Sequence, residues 1–309
     1  MELALYTDSV AGLAFEDALD LAARVGATGL EIATGGQSRA PHVRLDELLA
    51  DPEARDRWRD AIDERGLRLA ALNCSAWPLH PVLGEAHATI IRDTIRLAEL
   101  LGVTKIVSMS GAPGDGPGST TVNFVWYPWP DDAVLLLERQ WDAAIVFWTE
   151  MTAFALDHGV ERIAFELHPL HLVYNVPTLQ RMRAAVGPII GANLDPSHLF
   201  WMGMDPLIVA RTLGPAVHHV HLKDTSVDTA QMAVAGVLDQ RSFLDPRQRA
   251  WVFRTVGRGH GAAWWRAFVG ALREAGYDDA LAIEHEDAAQ SPIEGVEEAA
   301  ALVRPLLAE

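Results

Sequence analysis

The chain contains a single cysteine among its 309 residues, and its apolar residues do not form long runs. One cysteine excludes an internal disulfide and is typical of proteins in a reducing compartment. We therefore expect a cytoplasmic location, and the first residues resemble a strand, not a signal peptide. No apolar run approaches the ~20 residues needed to span a bilayer, so no membrane protein is predicted.

Positive charge is also scarce. The formal net charge is −17 at pH 7, with 25 basic and 42 acidic residues. Proteins that bind nucleic acids neutralise phosphates with clustered lysine and arginine, so this composition argues against a nucleic-acid partner. Lysine itself occurs only at Lys105 and Lys223.

Strand-like and helix-like segments alternate from end to end, which is typical of a parallel sheet with helical crossovers. The chain length suits one (β/α)8 TIM barrel, for which about 250 residues is common. We predict an α/β fold with a single such domain, residues 1–309. Long connections are predicted after strand four, near 111–132, and after strand seven, near 225–261. Both leave the C-terminal ends of strands, where such barrels carry their active sites.

Four apolar segments in the second half end in carboxylate or imidazole groups. They are residues 163–169 (IAFELHP), 190–198 (IGANLDPSH), 218–224 (HHVHLKD) and 281–287 (LAIEHED). Buried parallel strands appear as apolar runs, and their C-terminal ends meet at one mouth of a barrel. The candidate ligands that should converge there are Glu166, Asp195, His221 and Glu284.

Three carboxylates and one imidazole form a hard ligand set, rich in oxygen. Such a set suits Mn²⁺, Mg²⁺ or Co²⁺ with positions left for substrate oxygens, whereas structural zinc sites favour thiolates. We predict a divalent metal site with Mn²⁺ as the first choice. His218 and His219 are rivals of His221, which we prefer because it lies nearest the C-terminal end of its strand. One such residue alone would more often be a paired structural group; four in register favour a site.

Further polar residues lie beside these candidates. His168 shares the face of Glu166 if that strand continues, which makes it a candidate catalytic base. His198 and Lys223 are candidate substrate-binding residues; the alternatives are a hydrogen-bonded structural histidine and a chance lysine. Arg258 and His260 lie in GRGHG, where glycines allow the backbone to approach a ligand closely.

Aromatic residues gather in the predicted connections. We expect Trp251 and Trp265 to fill the core, but VWYPWP lies in a loop where exposed rings would be costly without a partner. A sugar, an aromatic ligand and a subunit interface are the alternatives. The candidate substrate-binding aromatics are Trp126, Trp129 and Trp201.

The motifs ELHP, NLDPSH, HVHLKD, GRGHG and IEHED resemble signatures of the xylose isomerase-like barrel superfamily along essentially the whole chain. That superfamily includes sugar phosphate isomerases and epimerases, ketose 3-epimerases, inosose dehydratases and endonuclease IV. The resemblance implies the same four metal ligands and substrate-binding positions at His198 and Lys223. An endonuclease would need extra histidine ligands and a basic groove, which the charge disfavours.

Within the superfamily, the chain most resembles the large catalytic subunit of bacterial C-glycoside deglycosidases. The likeness lies in ELH, in NCSAWPLHP, in the glycine-rich loop that leads into WYPWP, and in GRGHG followed by two tryptophans. It implies elimination across the C–C bond of a 3-oxo-C-glycoside made by a separate oxidoreductase. It also implies a small β-rich partner subunit, and we expect an oligomeric assembly.

The chemistry shared by these relatives is proton abstraction beside a carbonyl. In the deglycosidase reaction, His168 is the predicted base that removes the C2 proton as the aglycone carbon leaves C1. In a sugar isomerase or ketose 3-epimerase, the resemblance implies that Glu166 and Glu284 act on opposite faces of the sugar. A non-catalytic sugar-binding subunit is a further alternative, but it would predict damaged ligands.

Overall fold

The computed structural model describes residues 1–243 and 245–308. The strands in these residues are β1 (Glu2–Tyr6), β2 (Gly29–Gly36), β3 (Arg68–Ser75), β4 (Lys105–Ser108), β5 (Arg162–Glu166), β6 (Ile190–Leu194), β7 (Val217–Leu222), β8 (Asp224–Val227), β9 (Trp251–Arg254) and β10 (Ala280–Ile283). Eight of them close into a barrel in the order β1-β10-β7-β6-β5-β4-β3-β2, which confirms the predicted fold. The other two, β8 and β9, form a separate antiparallel pair.

Helices follow most barrel strands. In the described residues they are α1 (Phe15–Arg24), α2 (Leu45–Ala50), α3 (Pro52–Asp63), α4 (Gly84–Leu101), α5 (Asp131–Asp157), α6 (Val176–Val186), α7 (Pro196–Trp201), α8 (Pro206–Leu213), α9 (Thr229–Ala235), α10 (Ala262–Glu274) and α11 (Pro292–Leu307). Local sequence explains several ends: α6 begins at a capping box of Asn175 and Thr178, and α4 ends at Gly102 with φ 70°. Among the helices described, none combines the length and apolar character that crossing a membrane requires.

By its internal packing the chain divides into two compact units. The first contains residues 1–31, 61–68 and 194–309, and the second contains 32–60 and 69–193. In the first unit, Leu5 pairs in register with Leu30 of β2 and with Ile283 of β10, and all three are buried. These strands are apolar along their length because both of their faces are covered.

The second unit contains β3, β4 and β5, which pair in parallel register. Ala71, Val107 and Ala164 form a fully buried apolar cluster on these strands. Lys105, one of the two lysines, begins β4 and is only 1% exposed.

The two predicted connections differ from each other. Residues 109–130, after β4, contain neither helix nor strand, as predicted. The segment after β7 is not a plain loop, because β8 and β9 pair within it and α9 lies between them. The segment 190–198 begins as strand β6 at Ile190. The strand ends at Leu194, since Asp195 and Pro196 begin helix α7.

Candidate metal centre

The four predicted metal ligands lie at or beside the ends of barrel strands. Glu166 is the last residue of β5, Asp195 follows β6, and Glu284 follows β10. His221 is the penultimate residue of β7. Each of the four offers one ligand atom, and these atoms all lie within 4.8 Å of one another. The structure therefore brings the predicted set together.

The chemistry of these side chains fits a divalent cation. Three carboxylates and an imidazole are the donors that hard and borderline divalent metals prefer. The Oδ2 atom of Asp195 is completely buried and accepts no hydrogen bond from a residue that the structure describes. The basic groups beside it are Lys223 Nζ at 3.0 Å and His198 Nε2 at 3.3 Å. This carboxylate oxygen keeps the capacity to bind a cation.

Lys223 lies among the acidic ligands. Its ammonium group is 2.7 Å from Glu284 Oε2 and 3.1 Å from Glu286 Oε2, and its side chain is 2% exposed. Burial alone would raise the pKa of Glu284, but the charges of Lys223 and His221 hold that pKa well below its ordinary value. Glu284 is therefore ionised, as a metal ligand must be.

His221 connects this ligand set to a residue that the sequence did not identify, Glu31 of β2. His221 Nδ1 lies 2.9 Å from Glu284 Oε2, and His221 Nε2 lies 3.0 and 3.1 Å from the two oxygens of Glu31. His219 Nε2 is 2.7 Å from Glu31 Oε2. Burial alone would lower the pKa of His221, but Glu31 and Glu284 raise it well above its ordinary value.

Glu31 is completely buried, and the pKa of its carboxyl group is well below the ordinary value. Burial acts to raise this pKa, but the charges of His221 and His219 outweigh burial. The signal that could have identified Glu31 was present in GLEIA, where one carboxylate interrupts an apolar strand. A buried carboxylate is costly unless it is paired, so a partner on a neighbouring strand was to be expected.

His198 is also placed beside the ligands. It is 2% exposed, and its ring meets the edge of Phe253 at a centroid distance of 5.4 Å. Burial lowers the pKa of His198 to about 4, because the attraction of Asp195 offsets burial only in part. The imidazole is therefore neutral at pH 7 and can accept or donate a hydrogen bond.

The geometric reason for choosing His168 does not hold in the structure. Strand β5 ends at Glu166, and the His168 amide donates to the Glu166 carbonyl oxygen at 2.8 Å, so strand alternation does not reach His168. The half-buried ring donates through Nδ1 to the carbonyl oxygen of Pro169 and meets His171 edge-on at 5.4 Å. Its role as a base stays a prediction without that support.

The two candidates from GRGHG have structural partners. The Arg258 guanidinium forms a two-pronged ion pair with Glu298 of α11, at 2.8 and 2.9 Å. His260 donates through its backbone nitrogen to Asp224 Oδ2 at 2.8 Å, and its ring stacks on Phe200 at 3.7 Å. These contacts explain both residues structurally, and their substrate-binding roles stay predictions.

The aromatic candidates fall into two groups. Trp201 is 8% exposed and stacks on Trp251 at 4.4 Å, which indicates packing and does not support substrate binding. The expected burial of Trp251 and Trp265 is confirmed. Trp126 and Trp129 are 59% and 70% exposed in the loop after β4, so they are accessible to a ligand.

The barrel fold is that of one family. The family model described as the xylose isomerase-like TIM barrel matches residues 19–306, and this chain belongs to that family. Among curated proteins, the chain is similar to the uncharacterized protein YfiH of Bacillus subtilis strain 168. The two are 45% identical over 300 residues, which cover 96% of each.

Solved structures show the same fold. The probable 3-DHS dehydratase AsbF of Bacillus anthracis is 17% identical, with a TM-score of 0.68 over 98% of this chain and 99% of that one. The IOLI protein with a bound zinc atom is 19% identical, with a TM-score of 0.67 over 100% and 98%. D-psicose 3-epimerase is 15% identical, with a TM-score of 0.64 over 100% of both chains. At these identities the likeness establishes the fold alone.

Proposed function

We propose that this chain is a divalent-metal-dependent enzyme that removes a proton beside the carbonyl group of a sugar. The ligand set of Glu166, Asp195, His221 and Glu284, with ligand atoms within 4.8 Å of one another, carries this proposal. Family membership and the zinc atom of a structural neighbour support it. We propose Mn²⁺ as the metal and the cytoplasm as the location.

When bound, a divalent cation would supply Lewis acidity to the substrate carbonyl. The residues around it supply the remaining functions. Lys223 can donate a hydrogen bond to a substrate oxygen, and the neutral His198 can orient a hydroxyl group. Glu284 is ionised and can accept a proton, and a positioned base contributes about 10²–10⁴-fold to the rate.

The specific reaction we propose is cleavage of a 3-oxo-C-glycoside, with this chain as the catalytic subunit beside a small β-rich partner. The likeness of its motifs to C-glycoside deglycosidases supports this reaction. So does the exposed aromatic loop, because Trp126 and Trp129 offer flat faces to an aromatic aglycone. In this reaction His168 is the proposed base and the aglycone carbon is the leaving group.

A ketose 3-epimerase or sugar isomerase is the second candidate. Two carboxylates of the ligand set, Glu166 and Glu284, could act on opposite faces of a sugar, and the fold is also that of D-psicose 3-epimerase. In this reaction one carboxylate removes a proton and the other returns a proton on the opposite face.

An activity assay separates the two candidates. Metal-loaded protein, with and without a co-expressed small partner, is tested on a 3-oxo-C-glucosyl flavonoid and on a panel of ketoses. Release of free aglycone that EDTA abolishes would support the deglycosidase. Interconversion of ketoses without aglycone release would overturn the deglycosidase and support the epimerase.

Two variants test the roles within the site. Asp195→Asn should lose metal binding and turnover together. His168→Ala should lose most aglycone release while it still binds metal, and His158→Ala, a change at a surface histidine paired with Glu99, serves as its control. Full activity of His168→Ala would exclude His168 as the base.

A further inference from the structure

Glu31 occupies an unusual position for a carboxylate. It is the third residue of strand β2, is completely buried, and is not a member of the four-residue ligand set. Its carboxylate contacts two imidazoles at once, those of His219 and His221, at 2.7 to 3.1 Å. A buried charge with two dedicated partners calls for an explanation beyond strand packing.

The contacts of Glu31 require a hydrogen on one particular ring nitrogen of His221. An ionised carboxylate accepts hydrogen bonds and cannot donate them. His221 Nε2, which faces both oxygens of Glu31, is therefore the donor in these contacts. Nδ1 faces Glu284 of the ligand set at 2.9 Å. A divalent cation bound there would take the place of a proton on Nδ1, and the hydrogen that Nε2 donates to Glu31 would remain.

The ring of His221 is also held in orientation. Tyr6 stacks on its face at a centroid distance of 5.5 Å and an interplanar angle of 16°. Glu31 holds the Nε2 edge of the His221 ring. Glu31 is itself held by a hydrogen bond from His219 Nε2. Rotation of the imidazole would break both contacts of Nε2 with the carboxylate.

We infer that Glu31 is the positioning residue of the metal centre. Its carboxylate holds the Nε2–H tautomer of His221, so that Nδ1 is the nitrogen presented to the metal. His219 anchors Glu31 and does not itself bind the metal. This inference rests on the proposed metal site and extends it by one residue. Carboxylates that orient a metal-bound histidine in this way are a general feature of metalloproteins.

Metal affinity tests the inference without an activity assay. Mn²⁺ is titrated into metal-free protein, and free Mn²⁺ is measured by electron paramagnetic resonance. Glu31→Gln, which keeps the size of the side chain but adds amide donors, should weaken Mn²⁺ binding about 10- to 100-fold. The matched control is His219→Gln, which removes the other partner of the same carboxylate and should weaken binding much less. Melting temperatures of the metal-free variants report any purely structural effect.

The outcomes are distinct. Wild-type protein that binds no Mn²⁺, Co²⁺ or Zn²⁺ would overturn the proposed function and this inference together. Wild-type protein that binds Mn²⁺ while Glu31→Gln binds equally well would overturn the inference alone. Equal losses in Glu31→Gln and His219→Gln would also overturn it, because the effect would then belong to the buried cluster as a whole.

A measurement on the unmutated protein covers the case in which Glu31→Gln does not fold. Zinc-loaded protein labelled with ¹⁵N-histidine reports by NMR which nitrogen of each ring is protonated. For His221 we expect hydrogen on Nε2 and metal on Nδ1. Metal on Nε2 would overturn the inference.

Discussion

The two long connections of this chain differ in how they are held. Residues 109–130, after β4, contain no helix or strand and expose Trp126 and Trp129. Gln140 of α5 holds part of this loop by donating to the carbonyl oxygens of Pro113 and Asn123, at 3.0 and 2.8 Å. The segment from β8 to β9 instead has its own secondary structure and buried carboxylate anchors. The difference lies in this secondary structure and in these anchors.

Two carboxylates anchor the segment that contains β8 and β9. Asp224 accepts hydrogen bonds from the backbone nitrogens of Gly257, Gly259 and His260, at 2.8 to 3.1 Å. Asp287 accepts from the backbone nitrogen of Thr255 at 2.9 Å. Each aspartate lies three residues after a member of the candidate metal centre, Asp224 after His221 and Asp287 after Glu284. The residues that follow β7 and β10 therefore also hold the segment of β8 and β9 in place.

The largest loss of stability is expected when Asp224, the first of these anchors, is removed. Asp224→Ala removes the buried acceptor of several partly buried backbone donors and should cost about 3 kcal/mol in the free energy of unfolding. Asp228→Ala, which removes the exposed N-cap of α9 in the same segment, should cost about 1 kcal/mol. Urea unfolding measures both. A loss for Asp224→Ala no larger than for Asp228→Ala would show that Asp224 is not an anchor.

The next largest loss of stability is expected at Gly259, which packs against Asp224. A Cβ atom at Gly259 would collide with the carbonyl oxygen of Thr225 and lie 2.5 Å from Asp224 Oδ1. Gly259→Ala should therefore destabilise the fold by about 1–3 kcal/mol. Gly261→Ala, where a Cβ atom meets open space, should cost less than about 1 kcal/mol. Similar unfolding curves for the two variants would contradict the tight packing at Gly259.

Asp287, the second anchor, should make the stability of this segment depend on pH. Burial alone would raise the pKa of Asp287, but hydrogen bonds from the backbone of Thr255 and Ala289 and the charge of Arg254 lower it. Its stabilising contribution is therefore complete above the unfolded pKa of about 3.9 and is lost as the pH falls through the folded pKa. The protection factor of the Thr255 amide, which is its exchange rate relative to the intrinsic rate at the same pH, should fall on acidification. Asp287→Asn should remove most of that acid-induced change, and its persistence would exclude Asp287 as the cause.

The smallest effect on stability belongs to the loop after β4. Trp126→Ala and Trp129→Ala should change the free energy of unfolding by no more than about 0.5 kcal/mol, because both rings are exposed. If this loop holds an aromatic aglycone, the same variants should raise KM for a 3-oxo-C-glycoside. Unchanged KM values in both variants would exclude the loop as the aglycone site.

The sequence predicted the barrel and the convergence of its ligands well. Runs of apolar residues that end in Glu166, Asp195, His221 and Glu284 encode buried strands, and the closed barrel brings their ends together. Glu31 escaped this reasoning because it is a single carboxylate whose partners lie in the last third of the chain.

Other residues show where local patterns fail. Arg258 was chosen for its glycine neighbours, but its partner is Glu298, forty residues further on in helix α11. Trp201 was assigned to substrate binding, but it stacks on Trp251 of β9, a strand that the sequence did not predict. Motif spacing could not reveal these pairings, because each depends on two distant segments that meet only in the folded chain.

Because both lysines are buried, the surface of the folded protein should react weakly with reagents that modify amines. Lys105 is 1% exposed and Lys223 is 2% exposed, so the exposed basic side chains of the described residues are arginines and histidines. The amino terminus is itself paired with Asp278. Reagents that acylate amines or crosslink them would find few targets on the folded protein. Labelling of Lys223 would accordingly report opening of the candidate metal centre, because few other amines on the folded protein would react.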